Sequence, residues 1–166
     1  MFLDYHISQA SGLLESYRQK GLKLATAESC TGGLISALLT EIAGSSDVFE
    51  CGFVTYSNES KIKLLGVDKK LIEQHGAVSE EVARAMAVGA IAKTGADVAV
   101  SVTGIAGPTG GTSDKPVGLV YIAVATKDKI SCAKNIFTGN REHIRSQSVS
   151  KALEMLNQNS ILTLLY

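Results

Sequence analysis

Ala25-Thr26-Ala27-Glu28-Ser29-Cys30-Thr31-Gly32-Gly33 begins as an apolar, strand-like run and ends in hydroxyl, thiol and glycine. A helical pattern of Leu34, Ile35, Leu38, Leu39 and Ile42 follows at once, so the stretch reads as a strand–turn–helix junction. Such a junction puts Ser29 at the carboxyl end of a strand. It leaves the N–H groups of Thr31, Gly32 and Gly33 unpaired at the first turn of the next helix, where an acceptor group can be attacked or held. A plainer reading stands beside this one: Ser29 or Thr31 only caps the helix, and the glycines only let helix and strand pack closely.

Outward from that junction, Ile7, Ala10, Leu14 and Tyr17 recur at helical spacing with Gly21 behind them, which predicts a helix over 5–20 and a short strand over 22–27. Residues 44–47 close the helix that follows Gly33. A second strand is expected over 49–56, after which Ile62 and Leu65 carry a helix closed by Gly66. Helices over 69–75 and 80–93 come next, the latter capped by Ser79 with Glu80 and Glu81 at its positive end. Val98, Val100 and Val102 alternate in a third strand over 97–102 that runs into a glycine-rich loop from Thr103 to Thr112. Runs over 117–126 and 130–137 flank Lys127-Asp128-Lys129 at antiparallel hairpin spacing. A last helix over 141–157 is expected to break at Asn157-Gln158-Asn159, and the tail 161–166 is apolar enough that Leu164, Leu165 and Tyr166 are expected to be buried against the sheet or across a dimer interface. Helices alternating with strands, closed by a hairpin, predict an α/β fold: a three-layer α/β/α sandwich with a mixed, mostly parallel sheet, as a single domain over 1–166.

With 166 residues the chain is long enough to bury a core without metal or disulfide support. Sixteen basic and sixteen acidic side chains balance, so no global field draws nucleic acid or an anionic membrane, and a small-molecule partner is favoured. Cys30, Cys51 and Cys132 are odd in number and widely spaced, which suits free thiols in a reducing compartment. Neither a signal peptide nor a membrane-spanning run is visible, and a soluble, cytoplasmic protein is expected.

In an open α/β sheet ligands bind beyond the carboxyl ends of strands. Three predicted ends carry Ser29, Tyr56 with Lys61, and Thr103 with the glycine loop. Serine needs a neighbour to take its proton, and His6, His75 and His143 all fall within helical patterns, so a lysine remains as base. Burial would depress its pKa, and a tyrosine hydroxyl between serine and lysine would relay or orient the proton. Lys61 fits a solvated surface position equally well by periodicity. Loop residues 104–112 match neither the P-loop nor the dinucleotide fingerprint, although their N–H groups can cradle a phosphate. Arg141 and Arg145, one turn apart at the start of the last helix, oppose its dipole and suggest an anion; facing water is the alternative. No cluster has metal-ligand spacing, so no metal or cofactor is expected.

Taken together, Thr26-Ala27-Glu28-Ser29-Cys30-Thr31-Gly32-Gly33, Gly52-Phe53-Val54-Thr55-Tyr56-Ser57-Asn58 with Lys61, Val102 to Pro108 through Gly110-Gly111-Thr112, Lys115-Pro116-Val117-Gly118 and Gly139-Asn140-Arg141 resemble the CinA C-terminal domain family, also called the PncC family of nicotinamide-nucleotide amidases. The resemblance implies metal-free hydrolysis of the carboxamide of nicotinamide mononucleotide to nicotinic acid mononucleotide and ammonia, on an α/β/α domain that is commonly a homodimer. It implies Ser29 as nucleophile, Lys61 as general base and Tyr56 as the assisting hydroxyl. The expected oxyanion donors are the amides of Thr31, Gly32 and Gly33, and the expected substrate contacts are Thr103, Gly104, Gly107, Gly110, Gly111, Arg141 and Arg145. Asn140 stands where the family usually has aspartate, and Thr109 with Ser113-Asp114 varies the loop. A non-catalytic nucleotide- or phosphate-binding module is the rival reading; a phosphotransferase lacks its magnesium-holding carboxylates.

Overall fold

Large and small side chains alternate along the central strands, and that alternation builds the layers. In the computed structural model, which describes residues 2–162, β1 (Leu24–Glu28), β3 (Val98–Gly104) and β4 (Leu119–Thr126) turn Leu24, Val98, Val100, Val102, Val120, Ile122 and Val124 to one face. Ala25, Ala27, Ala99, Ala123 and Ala125 occupy the other. Against the bulky face pack α1 (Asp4–Gln19), α2 (Leu34–Thr40) and α6 (Arg141–Leu162). On the alanine face lie α3 (Asn58–Leu65), α4 (Lys69–His75) and α5 (Glu80–Thr94), the last close enough for Ser101 Oγ to donate to the Ala83 carbonyl at 2.6 Å.

The sheet order is β2-β1-β3-β4-β5, with β2 at Phe49–Val54 and β5 at Ile130–Ile136. β1 pairs in parallel with β2 and β3, whereas β3–β4 and β4–β5 are antiparallel. Thus β1, β2, β3 and β5 run one way and β4 the other, giving the mixed α/β/α arrangement expected from the pattern. The chain leaves β1 for β2 on one side and returns for β3 on the other. The carboxyl ends of all three therefore open onto one crevice, the switch point where such sheets bind ligands.

The end of α6 departs from expectation. Asn157-Gln158-Asn159 does not break the helix, because Asn159 Nδ2 donates to the Met155 carbonyl at 2.9 Å and Gln158 Nε2 to Glu154 Oε1 at 3.1 Å. The polar run lies within continuing helix, over a stripe that keeps Leu153 and Leu156 buried. Leu164, Leu165 and Tyr166 lie outside the described residues. Among the described residues no helix is long and apolar enough to cross a membrane.

Close packing of α5 on α3 depends on Gly89, where a Cβ would run into the Leu65 carbonyl. Gly89→Ala gains about 1 kcal/mol of helix propensity but overpacks against backbone, which costs about 3 kcal/mol. A net loss of about 2 kcal/mol is expected, read as a melting temperature lower by about 6 °C. An unchanged midpoint would show that the two helices separate freely.

Candidate active site

Glu28, the last residue of β1, shapes the site before any reacting group is considered. It is fully buried and its carboxylate accepts four hydrogen bonds: Gly33 N–H at 3.0 Å, Ile35 N–H at 3.1 Å, Ser36 N–H at 2.9 Å and Ser36 Oγ at 2.8 Å. These are orphan donors of the first turn of α2, satisfied here by a charge at the helix's positive end. The residue preceding α2 is Gly33, at φ 95°, with no side-chain cap. Neither Ser29 nor Thr31 is therefore the cap, and the plainer reading of both falls away.

That arrangement corrects the expected oxyanion donors. Gly33 N–H is committed to Glu28, and Gly32 N–H donates to the Ser29 carbonyl at 3.0 Å. Of the three, only Thr31 N–H keeps no acceptor among the described residues. Ser29 is held by its own amide, which donates to Val102 of β3 at 2.9 Å.

Lys61 lies on the inner face of α3, a helix capped by Ser57, whose Oγ accepts from Ser60 N–H. Its side chain is 1% exposed, so it is no surface lysine. Nζ stands 3.1 Å from Ser29 Oγ and donates to the Thr55 carbonyl at 2.8 Å. No carboxylate pairs with it among the described residues. Burial without a counter-charge pushes its pKa down from 10.5 to about 8. Beside it, burial pushes the Cys30 thiol up to about 11, so this neighbouring sulfur stays protonated near neutrality.

Around the pair lies a cavity of about 280 Å³, walled by Tyr56 and Asn58 on one side, Ala77 and Val78 on another, and Thr103 to Gly107 with Thr109, Gly110 and Arg141 opposite. Tyr56 does not stand between Ser29 and Lys61, which touch directly; it is 62% exposed and its hydroxyl accepts from Arg141 Nη2 at 3.1 Å. Arg141 also donates Nη1 to the Gly107 carbonyl at 2.9 Å, so its guanidinium links two residues of the cavity lining. Arg145 is placed elsewhere: Nη2 donates to the Thr31 carbonyl at 2.9 Å, and the residue lines a separate hollow with His6 and His143. Gly111 is off the cavity, pressed against the Val117 backbone. Asn140 caps α6, its Oδ1 accepting from His143 N–H at 2.9 Å.

Larger hollows of about 660 Å³, between α5 and the β4–β5 turn, and about 410 Å³, beside the start of α1, hold neither Ser29 nor Lys61. Among the described residues no group of three or more His, Cys, Asp or Glu is disposed to bind a metal ion.

The family described as the CinA C-terminal domain matches residues 7–160. A protein of Enterobacter agglomerans named nicotinamide-nucleotide amidohydrolase PncC is 53% identical over 138 residues, covering 82% of this chain and 84% of that one. A CinA-like protein of Geobacter sulfurreducens is 53% identical over 142 residues, 86% of this chain but 34% of its own length. The chain spans about a third of the CinA-like relatives it matches. Among solved structures, competence/damage inducible protein CihA of Agrobacterium tumefaciens superposes with a TM-score of 0.93 at 44% identity, covering 95% of this chain and 97% of that one.

Proposed function

The chain belongs to the CinA C-terminal domain family, and from that premise we propose that it is an amidohydrolase that converts nicotinamide mononucleotide to nicotinic acid mononucleotide and ammonia. The observation that carries this reading is the buried contact between Lys61 Nζ and Ser29 Oγ, with no carboxylate to hold the lysine charged. A neutral amine keeps one N–H on the Thr55 carbonyl and turns its lone pair to the serine hydroxyl, which is the geometry of a general base. Ser29 Oγ then bonds to the carboxamide carbon as its proton passes to Lys61. Collapse breaks the C–N bond, Lys61 returns the proton to the departing ammonia, and water, activated by the same amine, releases the acid from the acyl-enzyme. No step calls on a metal ion.

Arg141 is assigned to the substrate phosphate. Two of its N–H groups are spent on Gly107 and Tyr56, and its guanidinium, which lines the cavity, keeps further N–H donors for an anion. Tyr56 thereby becomes a support for Arg141. Because a phosphate contact serves ground and transition states alike, Arg141→Ala is expected to raise KM for nicotinamide mononucleotide about 30-fold with kcat changed less than about threefold. Nicotinamide riboside, lacking the phosphate, should suffer a comparable loss with the unaltered protein. A large fall in kcat at constant KM would take Arg141 out of this role.

Incubating the purified protein with nicotinamide mononucleotide and assaying ammonia, with and without chelator, tests the whole reading. Saturable binding without ammonia would make the protein a nucleotide-binding module instead.

A further inference from the structure

Residues 75–78, between α4 and α5, form one wall of the cavity, and each carbonyl in this strap is held by a side chain. Lys115 Nζ donates to the His75 carbonyl, and to that of Val78 at 2.8 Å. Ser79 Oγ donates to the Gly76 carbonyl at 2.9 Å, and Thr103 Oγ1 to that of Ala77 at 2.7 Å. A short connection at a sheet end would ordinarily leave such groups to water. Here they are fixed from three directions: its own helix cap, the end of β3 and the glycine-rich loop.

Lys115 is the member of the Lys115-Pro116-Val117-Gly118 motif for which the amidase chemistry has no use. It sits on the returning leg of the glycine-rich loop, at a turn closed by Thr112 N–H donating to the Lys115 carbonyl at 2.8 Å and by Lys115 N–H donating to Thr112 Oγ1 at 3.0 Å. The side chain leaves that closed turn, crosses to the strap and places its ammonium against the carboxyl end of α4, where a cation is favoured. Space for it is kept by Gly76, whose Cβ would lie 2.8 Å from Nζ. The strap supplies Ala77 and Val78 to the cavity, and the loop supplies Gly107, Thr109 and Gly110 across from them.

We propose that Lys115 is a positioning residue that staples the glycine-rich loop to the 75–78 strap and so fixes the spacing of the two walls between which the substrate's carboxamide-bearing ring is held. This deepens the amidase reading and rests on it for the identity of the ring. The ammonium touches neither Ser29 nor Lys61 and takes no part in bond making. Its contribution is to order the walls when the protein folds, so that the ordering is not left to the binding step.

Lys115→Met, which keeps the stem and loses the donors, tests the proposal in two measurements. Without substrate, amide hydrogen exchange at Gly76, whose N–H donates to the Ile72 carbonyl at 2.8 Å, should quicken about tenfold while β1 and β3 exchange as before. With nicotinamide mononucleotide, KM should rise about tenfold, kcat should change less than about threefold and the pH profile should keep its midpoint. Lys115→Arg restores donors on a comparable stem and should recover most of both effects. Unchanged exchange in the Met variant, or kcat and melting temperature falling together without recovery in the Arg variant, would overturn the proposal. Exchange is read on substrate-free protein, so absence of ammonia release by the unaltered protein sinks the amidase reading, whereas silent exchange sinks the staple.

Discussion

Lys61→Arg is expected to lose roughly 10³-fold to 10⁶-fold in kcat while still binding nicotinamide mononucleotide, as is Ser29→Ala. Arginine stays protonated at any working pH, so it can neither accept the Ser29 proton nor return one to ammonia. Alanine at position 29 removes the attacking oxygen itself. Under the proposed mechanism the two groups, 3.1 Å apart, act as one unit, so the double variant should be hardly worse than either single one. If Lys61 is the base, burial that brings its pKa to about 8 predicts that kcat/KM of the unaltered protein climbs as pH rises through about 8. The same depressed pKa sets a sign for stability: between about 8 and 10.5 the unfolded chain holds more protons than the folded one, so stability rises with pH across that window and falls as pH drops toward 8. Near-normal ammonia release from Ser29→Ala, or fully additive losses in the double variant, would mean that another group carries the chemistry.

Glu28→Gln should be the most damaging change that leaves every proposed reacting atom in place. The carboxylate accepts from three backbone amides and one hydroxyl, whereas a glutamine offers one oxygen and turns an NH₂ group toward donors that need acceptors. Loss of charge-assisted bonds together with buried donors left unpaired is worth about 3 kcal/mol, read as a melting temperature lower by roughly 10 °C. Since Gly33 belongs to the turn that begins at Ser29, kcat should fall as well. A variant as stable and active as the parent would show that α2 is anchored by other contacts.

These two residues mark where the sequence was readable and where it stopped being so. The strand–turn–helix junction, the hairpin and the helices predicted over 69–75 and 80–93 follow from periodicity and caps that act locally; the first of the two helices stands at Lys69–His75 and the second runs one residue further, Glu80–Thr94. Ser29 and Lys61 were legible as candidates because both fall at strand ends, but periodicity allowed Lys61 to face water; burial against Thr55 is a property of the assembled sheet. Tyr56, Gly32, Gly33 and Arg145 were misplaced for a common reason: each has a partner supplied by another element or by a backbone group with no pattern in sequence. Glu28 did leave a signal. A carboxylate closing an otherwise apolar strand must find donors, and the nearest orphan donors belong to the helix that follows.

The bond from Ser29 N–H to the Val102 carbonyl also ties the site to a pairing between strands far apart in sequence. The β4–β5 hairpin joins residues close in sequence, whereas the strand that carries Ser29 pairs with β3 across the whole of α2 to α5. Forming that parallel pair closes a long loop, a slow step compared with local pairing. Under the proposed mechanism, a chain in which β1 and β3 have not paired would hold Ser29 and Lys61 without the scaffold that sets them 3.1 Å apart, and so without a base for the serine.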